Sequence, residues 1–176
     1  MAETQSDCPP ISGAPWRLRP AVASDFDSLW ALDQVCFAPE LAYSRREMRE
    51  LMSMRNAATW LAESQPETAT GEPAAKPAPL GFIVLHAAGT TGHVITLDVA
   101  PQSRRQGLGA ALLAIGELYS RRRGARRMRL ETAVNNDTAL RFYKRQGYQI
   151  TNRLNGYYTR ELDAWQLEKP LEIGAK

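Results

Sequence analysis

The chain has 176 residues, of which 44% are hydrophobic and 23% charged, so it is long enough for one well-buried domain and too short for two ordinary ones. This composition excludes collagen, coiled coils and wholly disordered chains. The 22 basic side chains exceed the 19 acidic ones, and the formal net charge of +3 suits an anionic ligand without requiring a nucleic acid.

The sequence also carries information about cellular compartment. Its apolar runs are too short to cross a membrane, and its first residues lack the basic and apolar regions of a signal peptide. The only two cysteines, Cys8 and Cys36, form no disulfide framework, so we expect both to be reduced thiols. These features predict a cytoplasmic protein.

The first half of the chain predicts two strands and two helices. Trp16–Arg19 alternates apolar and polar side chains as a short strand does. Capping-box patterns at Ser24–Asp27 and Ser44–Glu47 predict the starts of two helices, the second of which reaches about Asn56. Thr59–Ala62 is then predicted as the next strand.

The composition changes at Ser64–Pro79, which holds four prolines and no large apolar side chain. We expect this segment to be a flexible insertion within a hairpin. Disordered tails are also expected at Met1–Pro15 and at residues 172–176. One domain, residues 16–171, should therefore hold the whole core.

The second half predicts five strands and two helices, which with the earlier elements make one mixed α/β domain. Strands are predicted at Leu80–His86, His93–Val99, Arg127–Val134, Tyr148–Leu154 and Leu162–Leu167. Helices are predicted from Gly107 to about Arg123 and from Asn136 to Gln146, and Gly124 and Gly147 should end them.

A glycine-rich turn joins the fourth predicted strand to the helix at Gly107. It reads Ala100-Pro101-Gln102-Ser103-Arg104-Arg105-Gln106-Gly107-Leu108-Gly109-Ala110. Glycines leave the backbone accessible, and the free N–H groups of a helix start, aided by the helix dipole, attract an anion such as a pyrophosphate. Taken alone, the pattern is also that of an ordinary tight turn.

Two motifs in order resemble the GNAT superfamily of N-acetyltransferases. Arg104-x-x-Gly107-x-Gly109-Ala110, after Leu97–Pro101, is similar to the acetyl-CoA signature of that family. Leu130–Tyr148 resembles its second half, with an Asn, an Ala three residues later, a Tyr and a Gly-aromatic pair. Two further stretches resemble RimI-type and archaeal protein N-terminal acetyltransferases: Cys36-Phe37-Ala38-Pro39 with Tyr43-Ser44, and Gly156-Tyr157-Tyr158 with Asp163-Ala164.

The resemblance implies both a fold and a co-substrate. The fold is a mixed, mostly antiparallel central sheet of about seven strands, with helices on both faces and a splay between strands 4 and 5. The co-substrate is acetyl-CoA. Its implied binding residues are Leu97, Asp98, Val99, Arg104, Arg105, Gln106, Gly107, Leu108, Gly109, Ala110, Asn136 and Tyr143.

The resemblance also implies a catalytic pair. The family's Glu and Tyr lie twelve residues apart, and Glu131 and Tyr143 keep that separation. Glu131 would take a proton from the substrate ammonium, and Tyr143 would give one to the departing thiolate. The residues alone equally allow Glu131 to pair with Arg127 or Arg129, Tyr143 to be a core aromatic and Asn136 to be only a helix cap.

The implied acceptor is the α-amine of a protein N-terminus, a ribosomal protein among the candidates. Phe37, Tyr43, Tyr157 and Tyr158 would line its channel. A small-molecule amine or a lysine is the alternative acceptor on the same scaffold. From another class of protein, the chain could be a non-catalytic acyl-CoA-binding or RNA-binding module.

The arginine cluster and the two histidines could also bind a ligand. Arginines cluster at Arg121–Arg123, Arg126, Arg127 and Arg129, where they could complement a helix end or attract the 3′-phosphate of CoA. No aromatic ladder accompanies them, so neither nucleic acid nor membrane is an expected partner. His86 and His93 lack metal-ligand spacing, and we expect no metal.

Overall fold

A computed structural model of the chain describes residues 14–64 and 77–171. Residues 1–13 of the expected N-terminal tail, the expected C-terminal tail and most of the expected insertion lie outside the described residues. Within the described ranges, seven strands and four helices follow one another along the chain. They are β1 Trp16–Pro20, α1 Phe26–Cys36, α2 Arg45–Ser53, β2 Ala57–Ser64, β3 Pro79–Ala88, β4 Thr91–Val99, α3 Leu108–Arg122, β5 Arg127–Ala133, α4 Asp137–Arg145, β6 Gln149–Thr159 and β7 Leu162–Pro170.

The strands of these ranges form one sheet in the order β1-β2-β3-β4-β5-β7-β6. Neighbouring strands are antiparallel except β4 and β5, which run parallel. The parallel pairing joins only Thr91–His93 to Arg127–Arg129, so β4 diverges from β5 over the rest of its length to Val99. The strand content and this splay confirm the expected fold.

Helices cover both faces of the sheet. Successive side chains of a strand point to opposite faces, and β3 shows this at its centre. Ile83 belongs to a core cluster with Leu112 of α3, whereas the adjacent Phe82 belongs to a second cluster with Leu29 of α1 and Met48 of α2. Because β3 is buried on both faces, its sequence is a continuous apolar run rather than an alternating one.

The predicted helix starts have different outcomes. Ser44 and Glu47 form the expected capping box, with the Glu47 N–H 3.2 Å from Ser44 Oγ and the Ser44 N–H 2.9 Å from Glu47 Oε2. The box expected at Ser24–Asp27 is wrong. A 3₁₀ turn at Ala23–Asp25 precedes α1, and the N-cap of α1 is Asp25 rather than Ser24. The Asp25 carboxylate accepts the N–H of Val22 at 2.8 Å, a bond that belongs to the start of the 3₁₀ turn.

Several boundaries also differ from those predicted. Helix α2 ends at Ser53 rather than Asn56, because the C-cap Met54 already leaves the helical conformation (φ −59°, ψ 143°). Strands β2 and β3 reach Ser64 and Pro79, the two ends of the expected insertion.

The prediction for β6 was too short. It begins at Gln149 rather than Tyr148 and continues past Leu154 to Thr159. The strand contains a register shift between Leu154 and Thr159. An irregularity of this kind interrupts the period-two pattern that a sequence-based prediction depends on.

One ion-pair network fixes the edge of the sheet to α1. Arg19 on β1 lies 2.7 Å from a carboxylate oxygen of Asp25 and 3.0 Å from one of Glu63 on β2. Both carboxylates are buried, and the hydrogen bond with Asp25 is the largest cause that raises the pKa of the Arg19 guanidinium above its usual range. Arg17 reaches only Glu63, at 2.6 Å.

We expect Arg19→Ala to lower the free energy of unfolding by about 3 kcal/mol, because it leaves buried carboxylates without their shared cation. Arg17→Ala is the matched control. Its side chain is 54% exposed, and its loss should cost less than about 1 kcal/mol. Urea unfolding at pH 7 measures both, and equal losses would show that Arg19 does not hold the network together.

Candidate active site

The glycine-rich turn presents an open helix N-terminus. Gly107 is the N-cap of α3 and has φ 81°, a left-handed conformation that favours glycine. The first helical hydrogen bond runs from Ala111 N–H to Gly107 O, so the N–H groups of the intervening residues have no partner within the helix. A Cβ added at Gly109 would meet only ordinary contacts with Phe142 and Val99, at 3.5 and 3.6 Å. Packing within the protein therefore does not demand glycine there, and an anion can approach closely.

The longer polar side chains of the turn, Gln102, Arg104, Arg105 and Gln106, are exposed to solvent beside this helix start, whereas Ser103 is buried. Arg104 Nε donates to Val99 O at 3.0 Å, at the end of β4. Gln106 Nε2 donates to Gln102 O at 3.2 Å, and Arg105 has a left-handed backbone conformation, φ 64°. The arginines add positive charge to the anion site.

The edge of β4 beyond His93 has no strand partner on the β5 side. Within this stretch Leu97 and Val99 are half-buried, and Asp98 is buried. Thr96 Oγ1 donates to Asp98 Oδ1 at 2.6 Å, while Asp98 Oδ2 has no hydrogen-bond partner in the described part of the chain. Burial raises the pKa of Asp98 to about 8. The sequence analysis included Asp98 only as part of a strand whose main chain binds the cofactor. The signal that could have indicated a buried carboxyl was the presence of one acidic residue in an apolar strand.

Glu131 lies on β5 at the mouth of the splay, and its side chain is 7% exposed. Its Oε2 atom is 2.6 Å from His93 Nε2, and its Oε1 atom is 3.3 Å from Arg129 Nε. The Tyr157 hydroxyl donates to Oε2 at 3.5 Å, and the Tyr158 hydroxyl donates to the Glu131 main-chain oxygen at 3.3 Å. The alternative that Glu131 pairs with Arg129 is therefore realised, together with three contacts that the sequence did not indicate.

Among those contacts, His93 is the residue that sequence reasoning missed. The histidines were assessed only as metal ligands, and they lack that spacing. The contact depends on the strand register, in which His93 is opposite Arg129 and Glu131 is two residues further along the same face. Arg127, the other candidate partner, donates instead to Thr91 Oγ1 at 3.1 Å.

Two tyrosine hydroxyls contact Glu131, those of Tyr157 and Tyr158, and two further tyrosines act electrostatically on Tyr158. Tyr143 on α4 is buried, with edge-to-face contacts to the rings of Phe142 and Tyr148, as a core aromatic would be. Burial is the largest cause, and nearby Asp98 the second, of a Tyr143 pKa above its usual range. Burial likewise raises the pKa of Tyr158, and the charges of Tyr157, Tyr43, Tyr143 and Glu131 add to this effect. These five groups are therefore electrostatic neighbours.

The loop between α1 and α2 contributes Tyr43 to this group. The Tyr43 hydroxyl donates to Ile95 O at 3.5 Å, and burial raises the pKa of Tyr43 to about 12. Phe37, predicted with it, ends α1 through an N–H bond to Asp33 O at 3.1 Å. The described contacts do not join Phe37 to the tyrosines.

Two further candidates have defined positions. Asn136 is the N-cap of α4, and its Oδ1 accepts the Ala139 N–H at 3.0 Å. Its part in cofactor binding stays a prediction.

The arginine cluster begins at the last turn of α3, a 15-residue helix about 22 Å long, at the end opposite the glycine-rich turn. That position does not support the expected attraction of a CoA phosphate.

Comparisons with known proteins were made by sequence and by structure. The family model described as "Acetyltransferase (GNAT) family" matches residues 26–148. An N-alpha-acetyltransferase of Sulfurisphaera tokodaii is 36% identical over 85 residues, which are 46% of this chain and 48% of that protein. The N-terminal acetyltransferase B complex catalytic subunit naa20 of Schizosaccharomyces pombe is 32% identical over 103 residues, 54% of this chain and 57% of that protein. The chain thus spans about half the length of the curated relatives it matches.

The fold has a solved counterpart in the ribosomal-protein-S18-alanine N-acetyltransferase from Escherichia coli. The two structures superpose with a TM-score of 0.75 over 92% of this chain and 97% of the other, at 18% sequence identity. At that identity the likeness shows the fold alone. In residues 14–64 and 77–171, no helix is long and apolar enough to span a bilayer.

The buried Asp98 carboxyl makes stability depend on pH. Its pKa of about 8 in the folded chain exceeds the ordinary 3.8, so between those values the folded chain keeps a proton that the unfolded chain releases. Stability therefore falls as pH rises from about 4 to about 8. We expect Asp98→Asn to raise the free energy of unfolding by about 1–3 kcal/mol at pH 8, with the difference closing near pH 4.

Thermal or urea unfolding across that pH range measures the effect. Asp27→Asn, at an exposed carboxylate on α1, is the control and should change little at either pH. A pH-independent difference between Asp98→Asn and the wild type would contradict the assignment of a proton to Asp98.

Proposed function

The chain belongs to the acetyltransferase (GNAT) family, and we propose that it transfers an acetyl group from acetyl-CoA to the α-amine of a protein N-terminus. The observation that carries the proposal is the buried carboxylate of Glu131, which lies beside the splay in contact with the hydroxyls of Tyr157 and Tyr158. The names of the two curated relatives support the choice of acceptor.

The residues around the splay fit the donor. The unpartnered N–H groups at the start of α3 suit a pyrophosphate, and Gly107 and Gly109 leave room for it. The edge of Leu97–Val99, which is unpaired on the β5 side, offers main-chain groups other than Val99 O to the amides of the pantetheine arm, and the Asn136 amide is the proposed further contact. Acetyl-CoA supplies the acetyl thioester and, after transfer, a thiolate.

Glu131 prepares the acceptor. An amine attacks a thioester as the neutral base, so an ammonium must first lose a proton. The Glu131 carboxylate lies at the mouth of the splay and accepts that proton, directly or through one water. His93, Arg129 and Tyr157 fix its two oxygens through the contacts described above.

Tyr143 holds the proton that the thiolate needs. Its raised pKa keeps the phenol protonated throughout the working pH range. The hydroxyl gives its proton to the departing sulfur, and the proton that the attacking nitrogen loses as the amide forms restores the phenol. The edge-to-face contacts with Phe142 and Tyr148 fix the ring, which orients the hydroxyl before the reaction.

The acceptor channel lies between the α1–α2 loop and β6. Tyr157 and Tyr158 come from β6, and their hydroxyls contact Glu131. Tyr43 comes from the loop and is an electrostatic neighbour of Tyr158. Phe37 is the proposed fourth side chain at the loop end of the channel. A narrow aromatic channel admits a flexible N-terminus but excludes a lysine whose main chain continues in both directions.

Single substitutions should distinguish the roles of Glu131 and Tyr143. We expect Glu131→Gln to lower kcat by about 10²–10⁴ at neutral pH, where most acceptor amines are still charged. Tyr143→Phe should lower kcat while calorimetry shows nearly unchanged acetyl-CoA affinity. Glu161→Gln, at an exposed carboxylate, is the control. Near-normal rates for both catalytic variants across the pH range would overturn the acid–base assignment.

The acceptor class is tested with a panel of peptides that vary in their first two residues, alongside spermidine and an N-blocked lysine peptide. Free N-termini should be acetylated fastest. We expect Tyr158→Phe or Tyr157→Ala to raise the peptide KM or to lower kcat with the fold intact by circular dichroism. If spermidine or the blocked peptide reacted faster than every free N-terminus, a small-molecule or lysine acceptor would replace this proposal.

A further inference from the structure

Glu131 needs a route by which its proton reaches water, and the structure contains one candidate. We propose that His93 is the positioning residue that takes the acceptor's proton from Glu131 and releases it to solvent. The inference rests on the proposed function in one respect, since it requires an amine acceptor that arrives as an ammonium. It does not require that amine to be a protein N-terminus.

The geometry of the pair carries the proposal. His93 Nε2 and Glu131 Oε2 are 2.6 Å apart, which is within hydrogen-bond distance, and the tautomer of the ring decides which of the two atoms donates. The Glu131 side chain is 7% exposed and that of His93 is 26% exposed. The imidazole therefore connects a nearly enclosed carboxylate with the solvent.

The strand register holds the two residues together. His93 is the last residue of β4 that pairs with β5, opposite Arg129, and it is opposite His86 on β3. The pairing fixes the backbone of His93 on both sides at the point where the splay begins. Glu131 lies two residues beyond Arg129 and so points to the same face.

The other groups at Glu131 do not accept a proton. Arg129 is a guanidinium, which has donors only. Tyr157 already donates its hydroxyl proton to Glu131 Oε2 at 3.5 Å, and burial raises the pKa of Tyr157. His93 is therefore the neighbour with a ring nitrogen that can accept, in the tautomer that carries the ring proton on Nδ1.

The charged and titratable groups that face His93 come from three elements. Glu131 and Arg129 face it from β5, His86 faces it from β3, and Tyr157 of β6 reaches the same carboxylate oxygen. The His86 ring nitrogen Nε2 lies 3.0 Å from the main-chain oxygen of Arg55. His86 thus has its own partner, whereas the described contact of the His93 ring is the one with Glu131.

The proton transfers balance without any change in electron count. The Glu131 carboxylate takes one proton from the ammonium and leaves a neutral amine. The resulting acid passes that proton to His93 Nε2, which restores the carboxylate and forms an imidazolium. The imidazolium releases one ring proton to water, and exchange of the ring tautomer with solvent restores an acceptor at Nε2 for the next turnover.

A proton relay has a pH signature that a purely structural contact lacks. Histidine is the ordinary side chain whose protonation changes between pH 5 and 8. An imidazole that is already protonated at Nε2 accepts no proton, so kcat should fall on the acid side of this range. The amide nitrogen of a glutamine at position 93 reproduces the hydrogen bond to Glu131 but carries no proton away.

The test compares His93→Gln and His93→Ala with the wild type from pH 5.5 to 8.5, using whichever amine the wild-type enzyme acetylates fastest. We expect His93→Gln to lower kcat about 10-fold or more, less than Glu131→Gln does, with little change in the acceptor KM. The acid limb of the kcat profile should disappear. His86→Gln is the matched control and should leave kcat and its pH profile unchanged.

Chemical rescue gives a second readout. Added imidazole should restore kcat in His93→Ala, because it can occupy the space and accept the proton. Added 1,2,4-triazole, which has nearly the same shape but is far less basic, should not restore it. Circular dichroism and acetyl-CoA calorimetry establish that both His93 variants are folded, and His93→Gln suffices if the alanine variant is not.

Each outcome distinguishes the two proposals. If His93→Gln keeps the wild-type kcat and acid limb, or if triazole rescues as well as imidazole, His93 only supports Glu131 structurally and the relay is overturned. If the wild type prefers small amines or lysines, the acceptor proposal alone falls. If it acetylates no amine at all, both proposals fall.

Discussion

The site depends on a parallel strand pairing that stops after three residues. β4 and β5 are joined only at Thr91–His93 and Arg127–Arg129. Had the pairing continued, the main-chain groups of Leu97–Val99 would be satisfied within the sheet. Because it stops, the same two strands hold Glu131 and His93 together at one end and leave an accessible strand edge at the other.

The splay between β4 and β5 is accompanied by two carboxyl groups whose burial is unfavourable for folding. Glu131 is nearly enclosed, and Asp98 is buried with one oxygen lacking a partner among the described residues. The unpaired edge also forgoes strand hydrogen bonds. Compensation comes from the two core clusters on either face of β3, and from Arg19, which joins two buried carboxylates far along the sheet. A firmly held scaffold thus surrounds a site that is itself unfavourable for folding.

The sequence predicts whatever depends on neighbours within a few residues. The Ser44 and Glu47 box, the turn at Gly107 and most strand positions have local signals, and the family motifs implied the splay. The contact between His93 and Glu131 has no such signal, because it joins residues 38 apart through a register that only the folded sheet defines. Asp25 takes the N-cap position expected of Ser24 because a 3₁₀ turn precedes α1, and its ion pair with Arg19 likewise forms only in the folded chain.

The two outer strands of the sheet also bear on how the protein behaves at high concentration. β1 and β6 are the outermost strands, and each exposes backbone groups to which another chain could add a strand. β6 carries polar and charged side chains along an exposed, irregular strand, with Arg153 held by Asp163. β1 is short, bears two arginines and ends in proline. Charge, proline and irregular register disfavour edge-to-edge pairing. The two edge strands therefore protect the molecule against aggregation.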